Sequence, residues 1–269
     1  MSEADLPKTI AAGYREILGG AIVGLYVHGS LAFGCFRREV SDLDYIVVVS
    51  EPPSDDARIR MIRLLLSLEP EAPAKGFEMS VVLERYCREF VYPTPFELHY
   101  SVAHREKALA DITAYCKSMR GTDKDLAAHF TVIRAVGYPL VGPPVHALFG
   151  EVPREAYIDS LLYDVENAAA EIGDAPMYLT LNLCRVLAYL RDGAVLSKKQ
   201  GGEWGLAKLP ERWHPQIQAA LAAYTGKAAE FPADMREFAA WMLREIRGGS
   251  KMGYKIENRR CTIVQSRKS

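Results

Sequence analysis

The sequence has no CxxC pair, and its cysteines (Cys35, Cys87, Cys116, Cys184 and Cys261) are five in number. An odd, scattered set argues against a disulfide scaffold or a structural zinc site and fits a reducing compartment. Also lacking is the ~20-residue apolar run that spans a bilayer. The opening MSEADLPKTI carries acids where a secretory leader carries bases. A cytoplasmic protein with no membrane partner is therefore expected. Charge of one sign is not in excess either: 33 Lys+Arg against 34 Asp+Glu leaves a net charge of −1, where a dedicated nucleic-acid binder is usually basic. There is no internal repeat and no low-complexity tract. A basic bias is confined to the tail from Lys251, read as a solvated terminus.

What is present suits a folded protein. Hydrophobic residues make up 49% and charged residues 25% of 269, enough for a sizeable core in one large or two modest domains. Ile10, Tyr14, Ile17 and Leu18 share a helical face, predicting a helix over about Leu6–Leu18 that ends at Gly19-Gly20. Apolar, β-rich runs at 21–28, 42–49 and 77–83 predict buried strands. Ser54-Asp55-Asp56 predicts a helix cap between the last two, with the helix running to about Leu68. From about residue 103 onward helical spacing dominates, near 103–118, 123–137, 154–172, 177–192, 203–208, 214–225 and 233–247. The expected fold class is α+β: a small mixed sheet flanked by helices in residues 1–153, then an α-helical bundle in 154–269.

The chemistry concentrates on one pattern. Asp42 and Asp44 stand two apart on a predicted strand, so both side chains project to one side. Two carboxylates leaving an apolar strand together repel each other, and burying them without a counter-charge is expensive. A hard divalent cation such as Mg²⁺ removes that cost and prefers carboxylate and phosphate oxygens. Upstream, Gly29-Ser30 ends the preceding strand. A short helix beginning there offers backbone N–H groups and the Ser30 hydroxyl to an anion, and a glycine admits close approach to the backbone. Glu78 opens the next strand, placed to be a third carboxylate. Neither a bare D-x-D nor a bare G-S is specific. Asp123-Lys124-Asp125 reads as a helix start, and Gly249-Ser250 has no acid pair after it. The two halves on neighbouring strands are far more specific. The competing account of Asp42 and Asp44 as turn caps is disfavoured by an acid inside a strand.

The stretch Leu25–Val49, LYVHGSLAFGCFRREVSDLDYIVVV, resembles the nucleotidyltransferase superfamily that includes DNA polymerase β. Downstream, PTPFELHYS, LVGPPVHALFG, LTLNLCRVL and SKKQGGEWGLAKLP are similar to the aminoglycoside 3″/9-adenylyltransferases, over about residues 20–247. That resemblance implies an N-terminal nucleotidyltransferase domain and a C-terminal helical domain acting on ATP and an aminoglycoside or aminocyclitol. It implies contacts to the triphosphate from Gly29, Ser30 and Ser41, one or two Mg²⁺ ions on Asp42 and Asp44, and Glu78 as catalytic base. It further implies Arg185 and Lys198 at the phosphates and Tyr224 near the nucleotide. The competing accounts make Arg185 a surface cation, Lys198 part of a solvated turn, Tyr224 a packing residue and, without the resemblance, Glu78 a strand-edge acid. His28 reads as a structural histidine, Trp204 as core packing, and the cysteines as buried thiols.

For the acceptor, electrostatics asks for acids opposite a polycation. Glu166, Glu171 and Asp174 precede the Arg185 helix where the resemblance places acidic drug contacts. The tryptophans of streptomycin-binding relatives are absent: Glu97-Leu98-His99-Tyr100 leads to Ala103-His104, and Glu166 stands near the other site. Spectinomycin is therefore expected over streptomycin, with His104, Glu171 and Asp174 as substrate contacts and a monomer as the working form. Nucleotide transfer to a protein or RNA acceptor, or nucleotide sensing without catalysis, are the alternatives.

Overall fold

The computed structural model describes residues 5–250; the basic tail from Lys251 and Cys261 lie outside the described residues. The chain divides into two compact units, Met1–Leu161 and Leu162–Ser269.

The first unit begins with α1 (Asp5–Leu18), whose Leu6, Ile10, Tyr14 and Leu18 are buried. Strand β1 (Ile22–Val27) leads into the one-turn helix α2 (Gly29–Ala32), and β2 (Leu43–Val49) follows. Helix α3 (Asp55–Leu68) starts as its sequence predicts: the Ser54 hydroxyl accepts from the Ala57 N–H, with Asp55 and Asp56 in the positive first turn. It crosses to β3 (Phe77–Leu83), which pairs parallel with β2. Next come α4 (Glu84–Arg88), β4 (Thr94–Phe96), β5 (Leu98–Tyr100), α5 (Arg105–Ala110), α6 (Ile112–Ser118), β6 (Gly121–Asp123), α7 (Asp125–Val136), β7 (Tyr138–Val141) and α8 (Val145–Leu148).

The five-stranded sheet has the order β5-β3-β2-β1-β7 and is mixed, antiparallel except at β2–β3. Alternation along the strands sends residues to two cores. Leu25, Val27, Leu43, Tyr45, Val47, Met79 and Val81 pack with α1 and α3. Tyr26, Ile46, Val48 and Val82 pack on the other face with Phe130, Ile133 and Phe149. That second face runs out, toward the start of β2 and β3, into Asp44 and Glu78.

Strands β6 and β7 fall in the gaps between the predicted helical segments, and Asp111 splits 103–118 by accepting the Thr113 and Ala114 N–H groups as the cap of α6. Asp42 precedes β2 rather than lying in it.

Helix α9 (Arg154–Val165) contains the division between the units. The second unit continues with α10 (Ala168–Glu171), α11 (Pro176–Asp192), α12 (Lys198–Lys208), α13 (His214–Tyr224) and α14 (Met235–Ser250). Helix α11 is its centre and packs against α12, α13 and α14. Helix α12 begins five residues before the predicted 203, running through Gly201-Gly202. Glycine lowers helix propensity, but a capping box between Ser197 and Gln200 starts the helix. A methyl at Gly201 would sit 2.6 Å from Arg185 Cγ, and one at Gly205 2.9 Å from Cys184 Sγ. Close helix packing thus outweighs propensity there. Trp204, expected in a core, is half-buried instead, and its indole N–H donates to Asp192 Oδ2 at 2.7 Å.

Candidate active site

Parallel register pairs Asp44 with Glu78 across β2 and β3, so both carboxylates leave the same sheet face side by side. Asp42 joins from the turn ahead of β2. Ligand oxygens of Asp42, Asp44 and Glu78 all lie within 4.8 Å of one another, and all three residues are half-buried. Three acids this close repel, and a hard divalent ion with oxygen preference matches both their spacing and their chemistry.

Gly29 sits against this cluster with φ +59. A methyl there would lie 2.5 Å from Asp44 Cγ, so the position needs glycine both for its backbone conformation and for room beside the acid. Next to it, the Ser30 hydroxyl is buried and has no hydrogen-bond partner among the described residues. A buried, unsatisfied hydroxyl costs free energy unless something fills it, and at this place an anionic oxygen would. Ser41 is buried, and its Oγ accepts the Arg37 N–H at 3.0 Å, closing the turn that delivers Asp42.

Histidines surround Glu78. His28 is buried as expected, and its backbone N–H donates to the Asp44 carbonyl at 3.1 Å. Burial, reinforced by the neighbouring His129, holds the His28 imidazole well below its ordinary value and keeps it neutral. The His28 and His129 rings lie 4.7 Å apart, and His129 Nε2 is 3.9 Å from Glu78 Oε1. His104 Nδ1 is 3.2 Å from Ser101 Oγ, and its ring meets that of His99 edge-on at 5.3 Å. Desolvation and then His99 push the His104 pKa down to about 4. His99 in turn is bonded to Ser80 Oγ at 3.0 Å. No motif marks His129, which sits inside α7.

The second unit carries the expected cations on one network. Arg185 Nη1 donates to Asn182 Oδ1 at 3.0 Å. Asn182 Nδ2 and the Tyr178 hydroxyl both donate to Asp164, at 2.8 and 2.9 Å. Lys198 Nζ lies 4.8 Å over the Tyr178 ring. Asp164, Tyr178 and Asn182 were not singled out from sequence, although 178, 182 and 185 follow the i, i+4, i+7 spacing of one helix face. Tyr224 is buried in a small cluster with Leu181 and Ala220. Glu171 and Asp174 are exposed, at the end of α10 and in the turn beyond.

Cys87, Cys116 and Cys184 are buried thiols, with desolvation raising all three, Cys116 to about 11 and Cys184 to about 12. Such thiols are poor nucleophiles. Among the described residues no helix is long and apolar enough to cross a membrane.

Residues 147–245 match the family model of the aminoglycoside adenylyltransferase C-terminal domain. The chain resembles the aminoglycoside 3″/9-adenylyltransferases. It is 25% identical over 262 residues to an aminoglycoside (3″)(9) adenylyltransferase of Klebsiella pneumoniae, covering 91% of this chain and 98% of that one. It is 25% identical over 224 residues to a spectinomycin 9-adenylyltransferase of Staphylococcus aureus strain Mu50, covering 79% and 82%. A spectinomycin adenyltransferase from Enterococcus faecialis, solved with ATP and spectinomycin, shares the fold. Its TM-score is 0.74 at 18% identity, over 92% of this chain and 100% of that one. The similarity therefore spans both units and gives the α+β expectation its fold-level support.

Proposed function

We propose that this protein transfers AMP from ATP to a hydroxyl of an aminocyclitol or aminoglycoside, spectinomycin before streptomycin, releasing pyrophosphate. The observation that carries the reading is the convergence of Asp42, Asp44 and Glu78 within 4.8 Å beside the Ser30 hydroxyl, which is unpartnered among the described residues, in a chain similar over most of its length to such transferases.

Asp42 and Asp44 are the residues that would hold Mg²⁺. When bound, the ion neutralises phosphate charge. Gly29 leaves room for the Asp44 carboxylate against the backbone at the phosphate-binding turn, and Ser30 donates its hydroxyl to a phosphate oxygen. Glu78 accepts the proton of the acceptor hydroxyl as that oxygen attacks the α-phosphorus. The new bond is P–O to the acceptor; the bond that breaks joins the α-phosphorus to the β-phosphate oxygen. Arg185 and Lys198 offset the charge that gathers on departing pyrophosphate. Tyr224 belongs to the nucleotide and His104, Glu171 and Asp174 to the acceptor. The protein's share is then mostly orientation and electrostatics.

The test incubates pure protein with labelled ATP, Mg²⁺ and a panel of aminocyclitols and aminoglycosides. Labelled spectinomycin is the expected product. Label appearing on protein or RNA, or tight ATP binding with no transfer, overturns the reading in favour of another acceptor or of a sensor. In Glu78→Gln, ATP binding persists while turnover falls by roughly 10²–10⁴-fold, the usual worth of a general base. Turnover close to wild type would remove Glu78 from the chemistry.

A further inference from the structure

Glu78 has a difficult position. It must stay beside Asp42 and Asp44, whose like charges push it away, while keeping one orientation toward the acceptor. Across the sheet face from these acids stands α7, and its His129 brings Nε2 to 3.9 Å from Glu78 Oε1, with both side chains 19% exposed. Behind His129 lies the ring of His28, 4.7 Å away and tilted by 37°. His28 is itself fixed: it is 4% exposed, follows the last residue of β1 and donates its backbone N–H to the Asp44 carbonyl. Helix α7 is anchored by Leu126, Ala127, Phe130 and Ile133, all buried. The imidazole thus reaches Glu78 from a rigid support on one side and rests on a rigid ring on the other.

We propose that His129 is a positioning residue for the reaction proposed above, holding the Glu78 carboxylate in its productive orientation, with the tilted ring of His28 as the support packed against the His129 ring. The inference rests on the proposed role of Glu78. It assigns His129 no contact with nucleotide, ion or acceptor, and no proton transfer of its own. Groups that orient a reacting carboxylate in this way are commonly worth ~10–100-fold in activity.

The experiment compares wild type, His129→Ala, His129→Gln, Glu78→Gln and the His129→Ala/Glu78→Gln double variant, each with its unfolding midpoint. His129→Ala is expected to lower kcat by about 10-fold or more, within the range known for such supporting residues, with KM for ATP nearly unchanged. Glutamine, whose amide N–H reaches about as far as Nε2, restores most of the rate. In the Glu78→Gln background the alanine substitution costs almost nothing further, since residues acting as a unit are non-additive. Losses that multiply, or a folded His129→Ala with wild-type kcat, overturn the proposal. A second readout needs no turnover: the imidazole ¹⁵N resonances of His129 in the ligand-free protein. They shift on Glu78→Gln if the two groups interact, and unmoved resonances overturn the proposal. Should wild type transfer AMP to no acceptor, the functional reading fails, while the resonances still decide whether His129 and Glu78 interact.

Discussion

Gly29→Ala is the sharpest single perturbation of the candidate site. Gly29 has φ +59, and Gly19, ten residues earlier and just past the end of α1, has φ +57. An alanine in the left-handed region costs roughly 1–2 kcal/mol at either position. Their surroundings differ completely: a methyl at Gly19 meets nothing within 4 Å, whereas one at Gly29 falls 2.5 Å from Asp44 Cγ and 2.9 Å from Asp44 Cβ. Separations under 3 Å between non-bonded carbons are not tolerated, so Asp44 has to move or leave its rotamer, adding about 0.5–1.5 kcal/mol. The two variants should therefore lose comparable stability, Gly29→Ala slightly more. Function should separate them. A carboxylate displaced by about 1 Å leaves a ligand set and costs roughly 10²-fold in rate, while Gly19→Ala keeps full activity. Urea unfolding gives the stability arm. Calorimetry of a non-hydrolysable ATP analogue with and without Mg²⁺ gives the binding arm, with the Mg²⁺-dependent part expected to vanish only in Gly29→Ala. A folded Gly29→Ala that binds and turns over like Gly19→Ala would refute the argument that this glycine makes room for Asp44.

Two further outcomes follow from local chemistry. Ser197→Ala removes half of the capping box that starts α12 and should cost about 1 kcal/mol in unfolding experiments; because Lys198 is the first residue of that helix and acts on charge that develops during the reaction, kcat should fall. His104, pushed down to about 4 in the folded protein, takes up a proton in the unfolded chain first. Its contribution to stability is therefore complete above the ordinary histidine pKa near 6.5 and is lost as pH falls from there toward 4. In His104→Asn the decline of the melting temperature over that window should be shallower than in wild type, and an equal decline would remove His104 as a source.

The sequence made the central strands legible because β1, β2 and β3 are apolar on both faces, which leaves an unbroken run with acids only at its end. Strands of three or four residues such as β4, β6 and β7 carry no such run; β4 and β7 each contain a proline, and their pairing is decided by the strand alongside. The start of α12 was hidden for a different reason. Gly201 and Gly202 lower helix propensity, and the Ser197–Gln200 capping box together with close packing on Arg185, Leu181 and Leu221 explains why a helix passes through them. Of the candidate site, Asp42 and Asp44 were visible as acids read inside a strand and Glu78 as an acid opening one; the parallel register of β2 and β3 brings Asp44 to Glu78, and Asp42 joins from the turn ahead of β2. His129, Asp164, Tyr178 and Asn182 were not, because each acquires its meaning from a partner far along the chain or across a helix turn.

Pairing Asp44 opposite Glu78 in adjacent parallel strands has an evolutionary consequence. The side-chain period of a strand is two, so sliding β3 by one residue would turn Glu78 into the opposite apolar layer and abolish the triad at a stroke. Helix α3, which joins the two strands, is under no such constraint. Residues can be gained or lost in the turn before it, whereas the turn after it is tied to the site by the Ala74 and Lys75 N–H groups, which donate to the Arg38 and Ser41 carbonyls. Descendants of this chain are therefore free to vary the connection and its outer surface while the spacing of the acids is inherited as a fixed interval of the sheet.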